Sequence, residues 1–214
     1  MMQPRRRLAP APITPSRRTW LSGMVGLAVA GALPLSGRPA AGEANDMLID
    51  DFNDPALVSK LGTPWRGVSD RVMGGVSKVD VTQTRIDGRS CLHLRGDVRL
   101  ENNGGFIQAA LDLTTSDTPL DASRFTGVRL LVRGNGEVYG VHLRTPNTYL
   151  PWQSYRATFV APPTWTSVAL PFDSFEPYRL NRPLDRARLR RIGLVAIGRA
   201  FRADLAVAEL ALYR

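Results

Sequence analysis

Cysteine and histidine are scarce in this sequence. Of its 214 residues, one is a cysteine, Cys91, and two are histidines, His93 and His142. A single cysteine excludes an internal disulfide framework, a cysteine-based zinc site and an iron–sulfur cluster. Two histidines leave little room for a multi-histidine metal centre. The sequence therefore predicts neither a bound metal nor a cofactor.

Catalytic motifs are also absent. The sequence contains no phosphate-binding G-x-x-x-x-G-K-[ST] loop, no H-E-x-x-H zinc motif and no G-x-S-x-G nucleophile turn. Cys91 and His93 lie two positions apart on a predicted strand, about 6.6 Å along it, which is too far for a nucleophile and its base. Nothing favours a glycosidase-type pair such as Asp97 with Glu101 over other acids. We therefore predict that the protein is not an enzyme.

Positive charge is concentrated near the N-terminus. The chain carries 28 Lys and Arg against 19 Asp and Glu, a formal net charge of +9. Residues 1–41 contain six arginines and no acid, which leaves 22 basic and 19 acidic residues, a net charge of +3, on residues 42–214. The rest of the chain is therefore nearly balanced, and the basic arm needs its own explanation.

The basic arm has the layout of an export signal. Residues 16–21 read S-R-R-T-W-L, an apolar run with glycines covers residues 21–35, and small residues occupy positions 40, 41, 42 and 44. This order is typical of a signal peptide, and the Arg17-Arg18 pair resembles a twin-arginine signal. We predict a signal over residues 1–44, a periplasmic or otherwise exported protein, and one domain over residues 45–214.

Apolar residues alternate with polar ones along most of this domain. They occupy every second position within residues 107–113, 128–132, 139–143 and 155–159. Turn signals recur every 8–12 residues, and no long amphipathic helix is visible. We therefore predict an all-β fold, an antiparallel sandwich of about ten short strands. The segment Gly134-Asn135-Gly136, between two of these strands, predicts a hairpin turn.

The densest motif is W-R-G-V-S-D-R-V-M-G-G-V-S at residues 65–77. Asp70 is suited to accept backbone N–H bonds in a turn, and Gly74-Gly75 permits positive φ or the close approach of another backbone. Met73 is a flexible apolar side chain beside that turn. Two interpretations stay open. One is a structural corner held by Asp70 and Arg71, and the other is a loop that contacts a partner or ligand.

This motif and several others resemble the complex I intermediate-associated protein 30 family. The other matching strings include D-D-F at 50–52, G-G-F at 104–106, F-T-G-V-R-L-L-V-R-G-N-G-E-V-Y at 125–139 and W-T-S-V-A-L-P-F-D-S-F at 165–175. The resemblance implies a galactose-binding-like jelly-roll. The mitochondrial members look like assembly chaperones for the respiratory NADH:ubiquinone oxidoreductase, and the family pattern supplies no catalytic residues. An exported protein would meet periplasmic surfaces, whereas the mitochondrial members act in the matrix.

Two functions are compatible with these features. The first is a non-catalytic protein-binding or assembly-chaperone module, for which respiratory complex assembly is implied only by the resemblance. Its predicted partner or ligand loop comprises Trp65, Asp70, Arg71, Met73, Gly74, Gly75, Gly104, Gly105 and Phe106. The alternative is a periplasmic carbohydrate-binding module, whose predicted sugar platform comprises Tyr149, Trp152 and Tyr155.

The arginine-rich stretch over residues 179–202 predicts a solvated face and no nucleic-acid partner. Proteins that bind single strands interleave aromatic platforms with basic residues, and no aromatic residue lies between Arg182 and Arg199. Membrane contact is expected only during export or as weak attraction to anionic lipid. Asp50, Asp51 and Asp54 cluster without spelling a calcium motif, so we predict that they cap turns.

Overall fold

The computed structural model describes residues 46–214, so the export signal predicted for residues 1–44 lies outside the described range. Within that range no helix has the length and hydropathy that a membrane crossing requires. Four short 3-10 helices occur, at Asp70–Met73, Glu101–Asn103, Phe172–Ser174 and Arg186–Arg188. The strands are β1 (Met47–Asp50), β2 (Trp65–Ser69), β3 (Lys78–Ile86), β4 (Arg89–Val98), β5 (Phe106–Asp112), β6 (Gly127–Gly134), β7 (Val138–Arg144), β8 (Ser154–Val160), β9 (Thr166–Pro171), β10 (Glu176–Tyr178), β11 (Arg191–Ile197) and β12 (Phe201–Tyr213).

These strands form two six-stranded antiparallel sheets. The first sheet has the order β3-β4-β12-β6-β9, and β1 pairs with β12 beside this path. The second sheet has the order β10-β8-β7-β11-β5-β2. Strands that are neighbours in a sheet are mostly distant in sequence, as in a Greek-key arrangement. The prediction of an all-β jelly-roll sandwich is therefore confirmed, with twelve strands in the described residues instead of about ten.

The core lies between the two sheets and follows the predicted alternation. Val128, Leu130 and Val132 of β6 are fully buried, while Arg129 and Arg133 between and beside them reach the outer face. Successive side chains of a strand point to opposite faces, so one apolar residue in two is enough to fill the interior. The inward positions of both sheets join in one continuous apolar cluster.

The predicted hairpin at Gly134-Asn135-Gly136 is wrong. β6 pairs with β12 and β9, whereas β7 pairs with β11 and β8, so this segment carries the chain from the first sheet to the second. The Tyr139 hydroxyl donates to Asn135 Oδ1 (2.7 Å) and accepts from the Asp204 backbone N–H (2.8 Å), which fixes the crossing against β12. The motif indicates a tight change of direction, but it does not specify the strand with which the next segment pairs.

Candidate functional site

The motif at residues 65–77 builds a corner around one buried carboxylate. Asp70 begins a 3-10 helix after Ser69 and is 0% exposed. Its Oδ1 accepts from the Ser77 backbone N–H (2.9 Å), and its Oδ2 accepts from the Ser77 hydroxyl and from the backbone N–H groups of Gly105 (2.6 Å) and Phe106 (3.4 Å). Burial raises the pKa of Asp70, but these donors outweigh it and hold the pKa below its usual range.

Two glycines allow the backbones of two loops, at residues 70–77 and 99–106, to approach the Asp70 carboxylate. A Cβ atom at Gly75 would lie 2.3 Å from Asp70 Cγ, and one at Gly104 would lie 2.5 Å from Asp70 Oδ2. Both contacts are too short for any side chain, so only glycine allows the two backbones to approach the carboxylate. The Asn102 amide also donates to the Gly74 carbonyl (3.3 Å) and adds a second link between the loops. We call residues 70–77 and 99–106 the Asp70 corner.

The tip of the Asp70 corner carries apolar side chains into solvent. Val72 is 73% exposed and Met73 is 50% exposed, and Leu100 on the adjoining loop is 50% exposed. Arg71 is also exposed. The two interpretations of the motif are therefore compatible, because Asp70 and the glycines have structural contacts while Val72 and Met73 remain available to a partner.

Two predicted site residues lie in the core. Trp65 is 6% exposed, its indole N–H donates to Asp50 Oδ2 (2.8 Å) and its ring lies 5.7 Å from that of Phe52. Tyr155 is 0% exposed, and its hydroxyl donates to the Pro183 carbonyl (3.0 Å). Both rings occupy inward strand positions, so neither reaches a ligand at the surface. Trp65 is thereby removed from the partner loop, and Tyr155 from the sugar platform.

The other two platform residues are exposed on the loop between β7 and β8. Tyr149 is 79% exposed and Trp152 is 44% exposed. Arg144 holds this loop, because its guanidinium donates to the carbonyls of Thr148 (2.9 Å) and Leu150 (3.0 Å). Arg156 donates to the Trp152 carbonyl (3.4 Å) from the outer face of the second sheet. The loop that carries the exposed rings is therefore hydrogen-bonded to two arginines of that face.

The outer face of the second sheet holds polar residues that the sequence did not single out as a site. His142 of β7 is opposite Arg156 of β8 and Gly193 of β11 in the strand register. Burial lowers the pKa of His142 to about 3, and the charge of Arg156 acts in the same direction. The imidazole is therefore neutral at physiological pH. The available signal was the alternation itself, which placed His142 and Arg156 opposite the apolar faces of their strands.

The Asp50, Asp51 and Asp54 cluster has the capping contacts expected of turn residues. Asp50 accepts from the Phe52 backbone N–H (2.8 Å), Asp51 from that of Asn53 (3.2 Å), and Asp54 from that of Ala56 (2.8 Å). Lys60 also pairs with Asp51 (3.0 Å). Over residues 46–214 no group of three or more His, Cys, Asp or Glu side chains is arranged to hold a metal ion.

This architecture defines a galactose-binding-like β-sandwich with two candidate contact surfaces, a corner tip and an open sheet face. The model of the complex I intermediate-associated protein 30 family matches residues 51–207. The chain therefore belongs to that family. A search of curated protein sequences finds no significant match.

Two solved structures of similar fold are carbohydrate-binding modules. A family 11 carbohydrate-binding module from Clostridium thermocellum, in complex with a β-1,3-1,4-mixed-linked tetrasaccharide, has a TM-score of 0.59 at 14% identity, over 78% of this chain and 94% of that chain. A family 30 carbohydrate-binding module has a TM-score of 0.53 at 15% identity, over 79% of this chain and 88% of that chain. At such low identity the likeness establishes the fold alone.

Replacing Asp70 with Asn should strongly destabilise the fold. The amide has one acceptor oxygen where the carboxylate has two, so buried N–H donors of the corner lose their partner at a cost of about 3 kcal/mol. Urea denaturation of the full chain measures this loss. Asp97→Asn, the same change at an exposed position of β4, should remain within about 0.5 kcal/mol of the unmodified protein. Equal stability of the two variants would contradict the structural role of Asp70.

Buried His142 should make the protein less stable in mild acid. The unfolded chain protonates this residue near its ordinary pKa of 6.5, whereas the folded protein keeps it neutral down to about 3. The unfolded state therefore binds more protons, and stability falls as the pH drops from about 6.5 toward 3. At pH 5 this histidine should cost about 2 kcal/mol relative to pH 7. Urea denaturation at both pH values should show a smaller loss in His142→Gln, whereas His93→Gln, which retains His142, should keep it.

Proposed function

We propose that this protein is a non-catalytic protein-binding module of the assembly-factor kind. The observation that carries the proposal is the exposed apolar pair Val72 and Met73 at the tip of the Asp70 corner. An apolar pair on a backbone that is already fixed loses little conformational entropy when a partner covers it. Membership of the complex I intermediate-associated protein 30 family supports this function, since the family name refers to an assembly intermediate.

The proposed partner is a protein surface with an apolar pocket. Met73 is unbranched and adapts to an irregular pocket, while Arg71 and Arg99 beside the tip supply polar contacts at its rim. We include export through the Arg17-Arg18 signal in this proposal, so the partner would be a periplasmic protein or the periplasmic part of a respiratory complex. Export also distinguishes this protein from family members that act in the mitochondrial matrix.

A charged residue at the tip should weaken partner binding. Burial of one Met or Val side chain contributes about 1.5–3 kcal/mol, so Met73→Asp should reduce partner recovery at least about tenfold. A photo-reactive residue at position 72 should cross-link to a discrete partner in native cells. The matched control is position 160, where Val160 is 53% exposed on β8. Equal cross-linking at positions 72 and 160 would count against the proposal. Partner recovery that is unchanged in Met73→Asp would also count against it.

Saccharide binding is the second candidate function. It is favoured by the position of Tyr149 and Trp152, whose exposed rings lie on a loop attached to the outer face of the second sheet. Aromatic rings stack against the apolar faces of sugar rings, and polar side chains nearby fix the hydroxyl groups. The carbohydrate-binding modules of similar fold support this candidate. It uses a different surface from the corner tip, so the two functions do not compete for the same residues.

Removal of the Trp152 ring should reduce saccharide affinity about tenfold, because a stacked ring contributes about 1.5 kcal/mol. Titration calorimetry of the full chain with a β-1,3-1,4-mixed-linked glucan oligosaccharide measures the change. Trp165→Ala provides a matched control, since this partly buried tryptophan precedes β9 of the first sheet. The candidate fails if Trp152→Ala binds as tightly as the unmodified chain.

A further inference from the structure

His142 is a mostly buried polar residue on β7. It lies on the outer face of the second sheet and is 8% exposed. Its ring nitrogens form no hydrogen bond among residues 46–214, and they are not fully enclosed, because the one fully buried side-chain polar atom without a partner there is the indole nitrogen of Trp165. Because its pKa lies far below neutrality, the ring offers one N–H donor and one acceptor nitrogen. Buried polar groups are normally hydrogen-bonded, so this ring is available to a ligand group at the sheet face.

Two glycines on neighbouring strands give the sheet face a shallow floor. A Cβ atom at Gly193 would lie 2.1 Å from Gln108 Nε2, so the Gln108 carboxamide lies over the space that a side chain would fill. A Cβ atom at Gly140 would lie 3.2 Å from His142 Nε2. The imidazole of His142 on β7 and the carboxamide of Gln108 on β5 therefore lie on the two strands that flank β11. Flat groups of this kind, with both donors and acceptors, suit hydroxyl groups of a ligand.

The same face carries two arginines, Arg144 and Arg156, that have no carboxylate partner within residues 46–214. Arg66 and Arg191 share Asp112, but among the described residues Arg144 and Arg156 form no ion pair. Arg156 lies 3.5 Å from the centre of the Tyr178 ring and donates to Ser154 Oγ (2.9 Å).

Glu176 is opposite Arg156 in the strand register and does not pair with it. Burial lowers the pKa of both Arg144 and Arg156, which means that their charges are poorly solvated. A poorly solvated guanidinium without a carboxylate favours an anionic ligand.

We propose that this face binds a carboxylate-bearing saccharide, such as a uronic-acid oligosaccharide. The guanidinium of Arg156 pairs with the sugar carboxylate, His142 and Gln108 bond ring hydroxyls, and Trp152 stacks on an adjoining sugar ring. The inference rests on saccharide binding, the second candidate function, and adds the charge of the ligand. An acidic peptide is disfavoured, since peptides commonly dock on open sheet edges and these side chains lie on inner strands of the sheet.

Titration calorimetry of the full chain tests the inference with three probes of equal length, a uronic-acid hexasaccharide, a neutral hexasaccharide and an oligoglutamate peptide. We expect the uronate to bind at least about tenfold more tightly than the neutral saccharide, and high salt to reduce this preference. In Arg156→Gln the ratio of the two affinities should approach one. Arg85→Gln is the matched control, since it removes the same charge from an exposed position on β3 of the first sheet. Arg85→Gln should leave the ratio of uronate affinity to neutral saccharide affinity unchanged.

The outcomes separate the inference from the function on which it rests. Equal affinity for acidic and neutral saccharides would overturn the inference and leave saccharide binding intact. No binding of either saccharide would overturn both, and peptide binding as tight as uronate binding would overturn the saccharide as ligand. Arg156→Lys covers the case in which Arg156→Gln does not fold, because it keeps the charge but loses the two-pronged carboxylate contact, and it should lower uronate affinity.

Discussion

The buried carboxylate of Asp70 joins two of the connections between the two sheets. The loop from β2 to β3 crosses from the second sheet to the first, and the loop from β4 to β5 crosses back. Asp70 belongs to the former and accepts N–H bonds from Ser77 in the same loop and from Gly105 in the latter. The crossing from β11 to β12 joins the same point, because the Gly198 N–H donates to the Gly105 carbonyl (3.0 Å). One side chain therefore links two crossings directly and a third through Gly105, and the exposed tip lies beside that contact.

The corner tip and the loop with the exposed aromatic rings lie at opposite ends of the second sheet. The register pairs Phe106 with Ile197 at the end next to the Asp70 corner, and Arg191 with both Asp112 and Arg144 at the other end. The loop with the exposed aromatic rings follows Arg144, so it belongs to that far end. The surfaces also differ in chemistry, since the tip is apolar whereas two guanidinium groups of the sheet face form no ion pair in the described part of the chain. A partner on one surface therefore leaves the other accessible, and substitutions at the two should act nearly independently.

The sequence alone was sufficient to predict the two packed layers of the fold, but it was not sufficient to predict which strands pair. Alternation identified the inward faces, and the same alternation grouped Tyr155 with Phe159, which already argued against Tyr155 as a surface platform. It could not state that β6 and β7 lie in different sheets, because strand pairing depends on contacts between distant segments. For the same reason His142 and Arg156 were visible as outward residues but not as neighbours. A buried imidazole on an outward strand position is a property of the assembled sheet, and no local pattern reports it.

The residues that carry the family resemblance are mostly occupied by structural contacts. Gly75 of the D-R-V-M-G-G-V-S string and Gly105 of the G-G-F string both contact the buried carboxylate of Asp70. The motif therefore specifies a scaffold, and the function depends on the side chains that the scaffold leaves exposed. Val72 and Met73 are such side chains within the motif, while the cationic sheet face lies outside it. The corner and the sheet face are built from different residues, so the side chains of the sheet face can change while the corner stays the same.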